Sequence, residues 1–128
     1  GAYILADSED GKPDLILIAT GAEVQLIIGA HERLTARGVK VRIVNIPSWE
    51  RFEAQPEAYR HQVFPPHIPL RIAVEAGSPL GWERYTGYEG AIMGMHRFGA
   101  SAPAKDLFRV FDFTVDAVVK KAEALLGL

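Results

Sequence analysis

The sequence predicts an α/β fold built on a mostly parallel sheet, and three neighbouring stretches carry that prediction. Leu15 to Ala19 is an unbroken apolar run between Pro13 and Gly21. A strand with one wet face would alternate, so an unbroken run suits a strand covered on both sides. Val24, Ile27, Ile28, His31 and Leu34 then recur at helical spacing, and Gly38 stands where a helix should stop. Val39 to Ile46 reads as a second strand. Strand, helix, strand over about thirty residues is a βαβ unit with a right-handed crossover.

The remaining elements follow in chain order. Tyr3 to Ala6 is a short strand, closed by the polar turn Asp7-Ser-Glu-Asp-Gly-Lys-Pro13. After Ala19, Thr20 occupies an N-cap position with Glu23 three residues on, the spacing of a capping box. Pro47 ends the second strand of the unit, Ser48 caps a helix from Trp49, and Glu50 suits that helix's first turn. Pro56 opens another short helix through Tyr59 and Val63. Three prolines forbid helix across Phe64-Pro-Pro-His-Ile-Pro69, which leads to a strand from Leu70 to Ala76. Gly77 to Gly81 is a loop, Trp82 to Tyr85 at most one helical turn, and Gly90 to Gly94 a small strand. Gly99 to Pro103 is a second loop, with Ser101 as cap of a helix through Phe111. Thr114 caps the last helix, whose apolar stripe is Val115, Val118, Val119, Ala122, Leu125 and Leu126. The sum is about five strands and five helices, without repeat or internal linker.

Composition excludes several classes of function. A chain of 128 residues is read as one domain, 1–128, long enough to bury roughly two-thirds of its unfolded surface. With a net charge of −2 and a pI near 6.1 it has no basic field for nucleic acid or an anionic membrane. Cysteine is absent, which removes disulfides and thiolate metal sites. No apolar stretch approaches the ~20 residues that span a bilayer. The start, Gly1 to Asp7, lacks the features of a signal peptide, so the expectation is a soluble intracellular protein.

Ligands of parallel sheets bind beyond the carboxyl ends of the strands. Those ends are Thr20-Gly21, Ile46-Pro47-Ser48, Glu75 to Ser78 and Gly94 to Ser101. Thr20-Gly21 could cradle an anion on a helix start, but no G-x-G-x-x-G follows any strand, and a capped helix is the simpler reading. Gly94-Met-His-Arg-Phe-Gly-Ala-Ser101 has the glycine spacing of a phosphate loop, yet Ala100 replaces its lysine. Gly99-Ala-Ser101 begins like a nucleophile elbow, but Pro103 replaces the second glycine, so Ser101 reads as a cap. His31 lies on an apolar stripe. His61 and His67, six apart across prolines, fit no pair of metal ligands. His96, beside Arg97 after a strand end, is the best placed histidine. Glu75 ends a buried strand near Ser78 and could act as a general base or meet a helix start or a partner surface. Nothing assembles a nucleophile, a base and oxyanion donors.

The segments Ile16 to Val24, Val41 to Glu50 with its Pro-Ser-Trp-Glu, Arg71 to Ser78, and Gly94 to Ala104 with its Phe-Gly-Ala-Ser-Ala-Pro resemble the C-terminal domain of transketolases. Gly81-Trp82, Arg84-Tyr85 and Gly87 belong to the same likeness, which covers essentially the whole chain. Ala22 and His96 depart from it, where serine and aspartate are common. The resemblance implies a three-layer α/β/α sandwich around a five-stranded mixed sheet, with the first strand antiparallel at an edge. It implies a parent enzyme of three domains per subunit that moves a two-carbon ketol unit from a ketose phosphate to an aldose phosphate in the pentose phosphate pathway. Thiamine diphosphate and a divalent metal, magnesium or calcium, would sit between the first two domains at a dimer interface. This domain would then supply no catalytic, cofactor-binding or metal-binding residue, and alone would be inactive. Its partners would be the N-terminal and middle domains and the dimer mate, in the cytoplasm. Gly81, Trp82 and Tyr85 would pack against one of these neighbours. Two other readings remain open: a regulatory module that holds a small anion or nucleotide at the strand-end loops, and a structural dimerisation module.

Overall fold

The computed structural model describes residues 1–75, 81–94 and 114–128. Five strands form one sheet: β1 (Tyr3–Ala6), β2 (Leu15–Ala19), β3 (Val41–Asn45), β4 (Arg71–Glu75) and β5 (Ala91–Gly94), in the order β1-β3-β2-β4-β5. The sheet is mixed, because β1 runs antiparallel to β3 while the other neighbours are parallel. The antiparallel edge strand and the parallel remainder agree with the expected architecture.

All five residues of β2 are fully buried, as a central strand covered on both faces requires. Leu15, Leu17 and Ala19 point into one apolar cluster, Ile16 and Ile18 into another across the sheet. The first cluster is roofed by α1 (Val24–Ala36) and, from the far end of the chain, by the final helix (Val115–Leu126). The second is roofed by α2 (Trp49–Glu53), α3 (Glu57–Val63) and the single turn α4 (Glu83–Thr86), through Phe52, Val63 and Tyr85. The final helix is therefore α5 among the described residues.

The helix boundaries have local causes. Ser48 Oγ accepts from the Arg51 amide at 3.2 Å, and Thr114 Oγ1 accepts from the Ala117 amide at 3.0 Å, so both expected caps form. Gly38, at φ +86°, ends α1: its amide donates to Thr35 O and the Val39 amide to Leu34 O, the paired bonds of a Schellman turn. Thr20 is different. Its side chain makes no cap hydrogen bond, and the chain passes through a 3-10 turn, Gly21–Glu23, before α1 begins at Val24. The buried stripe of α1 also differs from the expected one. Ile27, Ala30 and Leu34 are buried, whereas Ile28, expected on the stripe, is 38% exposed. The expected cap at Ser101 and the expected helix to Phe111 lie outside the described residues.

Two features of β1 and β3 could not be read from periodicity. Between Ile4 and Ala6 the register slips, since Ile4 faces Val44 while Ala6 faces the adjacent Ile43. This bulge sends Ile4 to one cluster and Ala6 to the other. Arg42, mid-strand in β3, is 4% exposed. Its Nε and Nη2 donate to the two carboxylate oxygens of Asp7, each at 2.9 Å. Nη1 reaches Gln62 O at 2.8 Å and Val63 O at 3.2 Å, and Nη2 also reaches Gly11 O at 3.2 Å. A buried guanidinium is tolerated when its donors are matched in this way, and this one ties the β1–β2 turn to the end of α3.

Candidate functional site

The parallel registers fix which residues meet at the carboxyl edge of the sheet. Ala19 lies beside Asn45 on one side and Val74 on the other, and Glu75 lies beside Gly94. Thr20, Ile46, Glu75 and Gly94 therefore share the edge where open α/β sheets hold ligands. Thr20 is extended (φ −141°, ψ 153°) and half-buried, and Gly21 follows it, exposed, at φ +62°. Glu75 is half-buried at the end of β4. Ser78, His96 and Ser101 lie outside the described residues.

At the β1 end of the same edge, Asn45 sits opposite Tyr3. Its Nδ2 donates to the Tyr3 hydroxyl at 2.9 Å, while Oδ1 is buried and without a hydrogen-bond partner among the described residues. A buried amide oxygen left unpaired costs on the order of 1–3 kcal/mol. Sequence reasoning missed both Asn45 and Arg42. A charge and an amide inside the apolar run Val41 to Ile46 were the available signal.

Trp82 has a different place from the one expected. It is 2% exposed and Tyr85 4%, and both are covered by this chain's own side chains. Trp49 meets Trp82 edge-on at 4.8 Å between centroids and Tyr85 at 5.7 Å, and Phe64 stacks on Tyr85 at 5.4 Å. Gly81, at φ +88°, lets the chain pass the Trp49 ring, because a Cβ there would stand 2.8 Å from a ring carbon. The aromatic residues that follow the 77–81 loop thus form core rather than an exposed patch.

Beside this cluster is a groove of about 340 Å³ lined by Glu53, Arg60, His61, Arg71, Arg84 and Tyr85, among others. Its polar groups are largely engaged with one another. Arg71 donates to Ile68 O, Tyr85 O and Pro65 O at 2.8–3.0 Å, and burial pulls its guanidinium below its ordinary pKa. The Tyr85 hydroxyl donates to Glu53 Oε2 at 2.9 Å. Burial, reinforced by that carboxylate, pushes the phenol up to about 12. A phenol so protected is a structural donor at neutral pH rather than a base. His31 is on α1, His61 on α3 beside Glu57 at 3.6 Å, and His67 exposed in the proline segment. Among the described residues no three His, Cys, Asp or Glu side chains converge as metal ligands.

Comparison with known proteins gives this arrangement its family. Residues 1–114 match the model of the transketolase-like C-terminal domain. The chain belongs to the transketolase C-terminal domain family. It is similar to the transketolase of Geobacillus stearothermophilus, 50% identical over 99% of this chain, and to transketolase 1 of Vibrio parahaemolyticus, 55% identical over 99%. Among solved structures it is similar to transketolase from Leishmania mexicana, with a TM-score of 0.80 and 40% identity over 99% of this chain. The match covers 19% of each of those two curated relatives and 18% of the solved chain. This transketolase C-terminal domain therefore spans about one-fifth of the length of the relatives it matches.

Proposed function

We propose that this chain is the C-terminal domain of a thiamine diphosphate-dependent transketolase and serves it as a supporting surface, without reacting groups of its own. The single observation behind this reading is the extent of the likeness: 99% of the chain aligns at 50% identity, yet with only 19% of the relative. The parent reaction is the transfer of a two-carbon ketol unit from a ketose phosphate to an aldose phosphate, a step of the pentose phosphate pathway in the cytoplasm. Thiamine diphosphate supplies the carbanion chemistry when bound. The described residues do not converge as ligands for its divalent metal, magnesium or calcium, so no step is assigned to them. The N-terminal and middle domains, and the dimer mate, hold the cofactor and the substrates in this reading. What this domain contributes is a rigid, well-packed body that positions its neighbours.

The test is direct. The purified 128-residue chain, given thiamine diphosphate, magnesium, a ketose phosphate donor and an aldose phosphate acceptor, is expected to show no ketol transfer, while the full-length parent polypeptide does. Measurable transfer by the chain alone overturns the reading.

A further inference from the structure

Three guanidinium groups gather on the groove beside the aromatic cluster. Arg60, Arg71 and Arg84 line it together with His61, and Glu53 is the one carboxylate among its described lining residues. That carboxylate is already in use, since it accepts from the Tyr85 hydroxyl at 2.9 Å and lies 3.8 Å from Arg60 Nη1. Arg71 and Arg84 have no ion-pair partner among the described residues. The local surplus of positive charge stands on a chain whose net charge is −2. Like charges held on one wall repel, and an anion seated among them removes that repulsion.

The cationic groups are held in place by the chain itself. Arg71, half-buried, gives one N–H each to Ile68 O, Tyr85 O and Pro65 O, and its Cζ lies 5.3 Å from the centroid of the Phe64 ring. A guanidinium has five donors, so one N–H remains on each of its terminal nitrogens. Arg84 lies over the Trp49 ring at 5.9 Å, and Arg60 Nε donates to Gln55 O at 3.1 Å. Planar forks fixed in this way match a tetrahedral oxyanion and lose little freedom in meeting it. His61 and Arg84 are exposed and Arg60 is half-buried, so the groove is open to a ligand. Thr20, Gly21 and Glu75 are not among its walls.

A second groove, of about 410 Å³, adjoins the first, because Pro66 and Arg71 line both. Its other walls include Pro69, the fully exposed Tyr88 and Glu89. Glu89 disfavours a second negative charge there, whereas the proline and tyrosine rings suit an uncharged organic group. We propose that the first groove is a binding site for a phosphate group, free or as the charged end of an ester, seated between Arg60, Arg71 and Arg84. The supporting role proposed above needs no such ligand, so the two readings stand or fall separately.

Titration of the nitrogen-15 labelled chain with inorganic phosphate, with sodium chloride at matched ionic strength as the reference, tests it. Saturating shifts are expected at Arg60, His61, Arg71 and Arg84, with a dissociation constant of about 1 mM at low salt. Arg84→Gln and Arg60→Gln, both at solvent-accessible positions, should each weaken binding roughly tenfold. Lys121→Gln, on the exposed side of α5, should leave it unchanged. Phenyl phosphate in a parallel arm separates the two sources. Equal affinity supports a site for free phosphate, and tighter binding with shifts at Tyr88 supports one for an ester. Shifts that chloride reproduces, shifts centred on Thr20 and Gly21 instead, or full affinity in both arginine variants would overturn the proposal. So would the lack of saturation below about 20 mM phosphate.

Discussion

Replacing Asp7 by Ala removes the one counter-charge, among the described residues, of a guanidinium that has almost no access to water. The Arg42 side chain is 5% exposed, and two of its five hydrogen bonds go to Asp7. Removing one partner of a buried ion pair costs about 3–5 kcal/mol, because the remaining charge stays desolvated. Asp7 itself is 29% exposed, so water can partly take its place, and the expected loss lies at the lower end, about 3 kcal/mol. For a domain of this size that corresponds to a fall in melting temperature of roughly 10 °C. Urea unfolding followed by tryptophan fluorescence measures the free energy, and calorimetry the midpoint. A double-mutant cycle with Arg42→Met separates the pair from its surroundings. The double variant is expected to lose clearly less than the sum of the two single losses, since once the charge is gone the missing carboxylate matters little. A loss below about 1 kcal/mol for Asp7→Ala, or strict additivity in the cycle, would refute the view that this pair clamps the β1–β2 turn to α3.

Two further outcomes are expected. Gly81→Ala forces a Cβ into a left-handed backbone 2.8 Å from the Trp49 ring and should cost about 2 kcal/mol in urea unfolding; a variant as stable as the parent would show that the ring moves aside freely. Tyr85 should resist ionisation in an alkaline titration followed by tyrosinate absorbance. Its folded pKa, raised from 10.0 to about 12, means that its contribution to stability is complete below pH 10 and is lost as pH rises through 12. A Glu53→Gln variant should bring that ionisation to lower pH, and no movement would remove the carboxylate from the explanation.

The parts legible in the sequence were those decided by neighbours along the chain. Leu15 to Ala19 announced a strand buried on both faces because five consecutive residues left no room for a wet side. Ser48 and Thr114 were readable as caps because the amides they satisfy lie three residues away. Thr20 had the same signature, but an intervening 3-10 turn at Gly21–Glu23 took the place of the first α-helical turn, and composition does not distinguish the two. Arg42 escaped notice because its partners stand 35, 31, 20 and 21 residues away. Trp82 and Tyr85 were assigned to an interface with a neighbouring domain or dimer mate, as the family resemblance implied, because two aromatics beside an inter-strand loop would otherwise form an exposed patch. The cover of Trp82 is Trp49, brought there by a crossover that the local pattern does not encode.

The family match stops at residue 114, just before α5 starts. Yet Val118 and Ala122 are fully buried, Val115 fits against Gly29 of α1, and ion pairs from Arg33 to Asp116 and from Arg37 to Glu123 hold the two helices side by side. A ribosome must therefore deliver the last helix before the apolar cluster that α1 shares with Val118 and Ala122 is complete. Until then that face of the nascent sheet is roofed by α1 alone, and an expression plasmid trimmed to the similarity boundary would keep it in that state permanently.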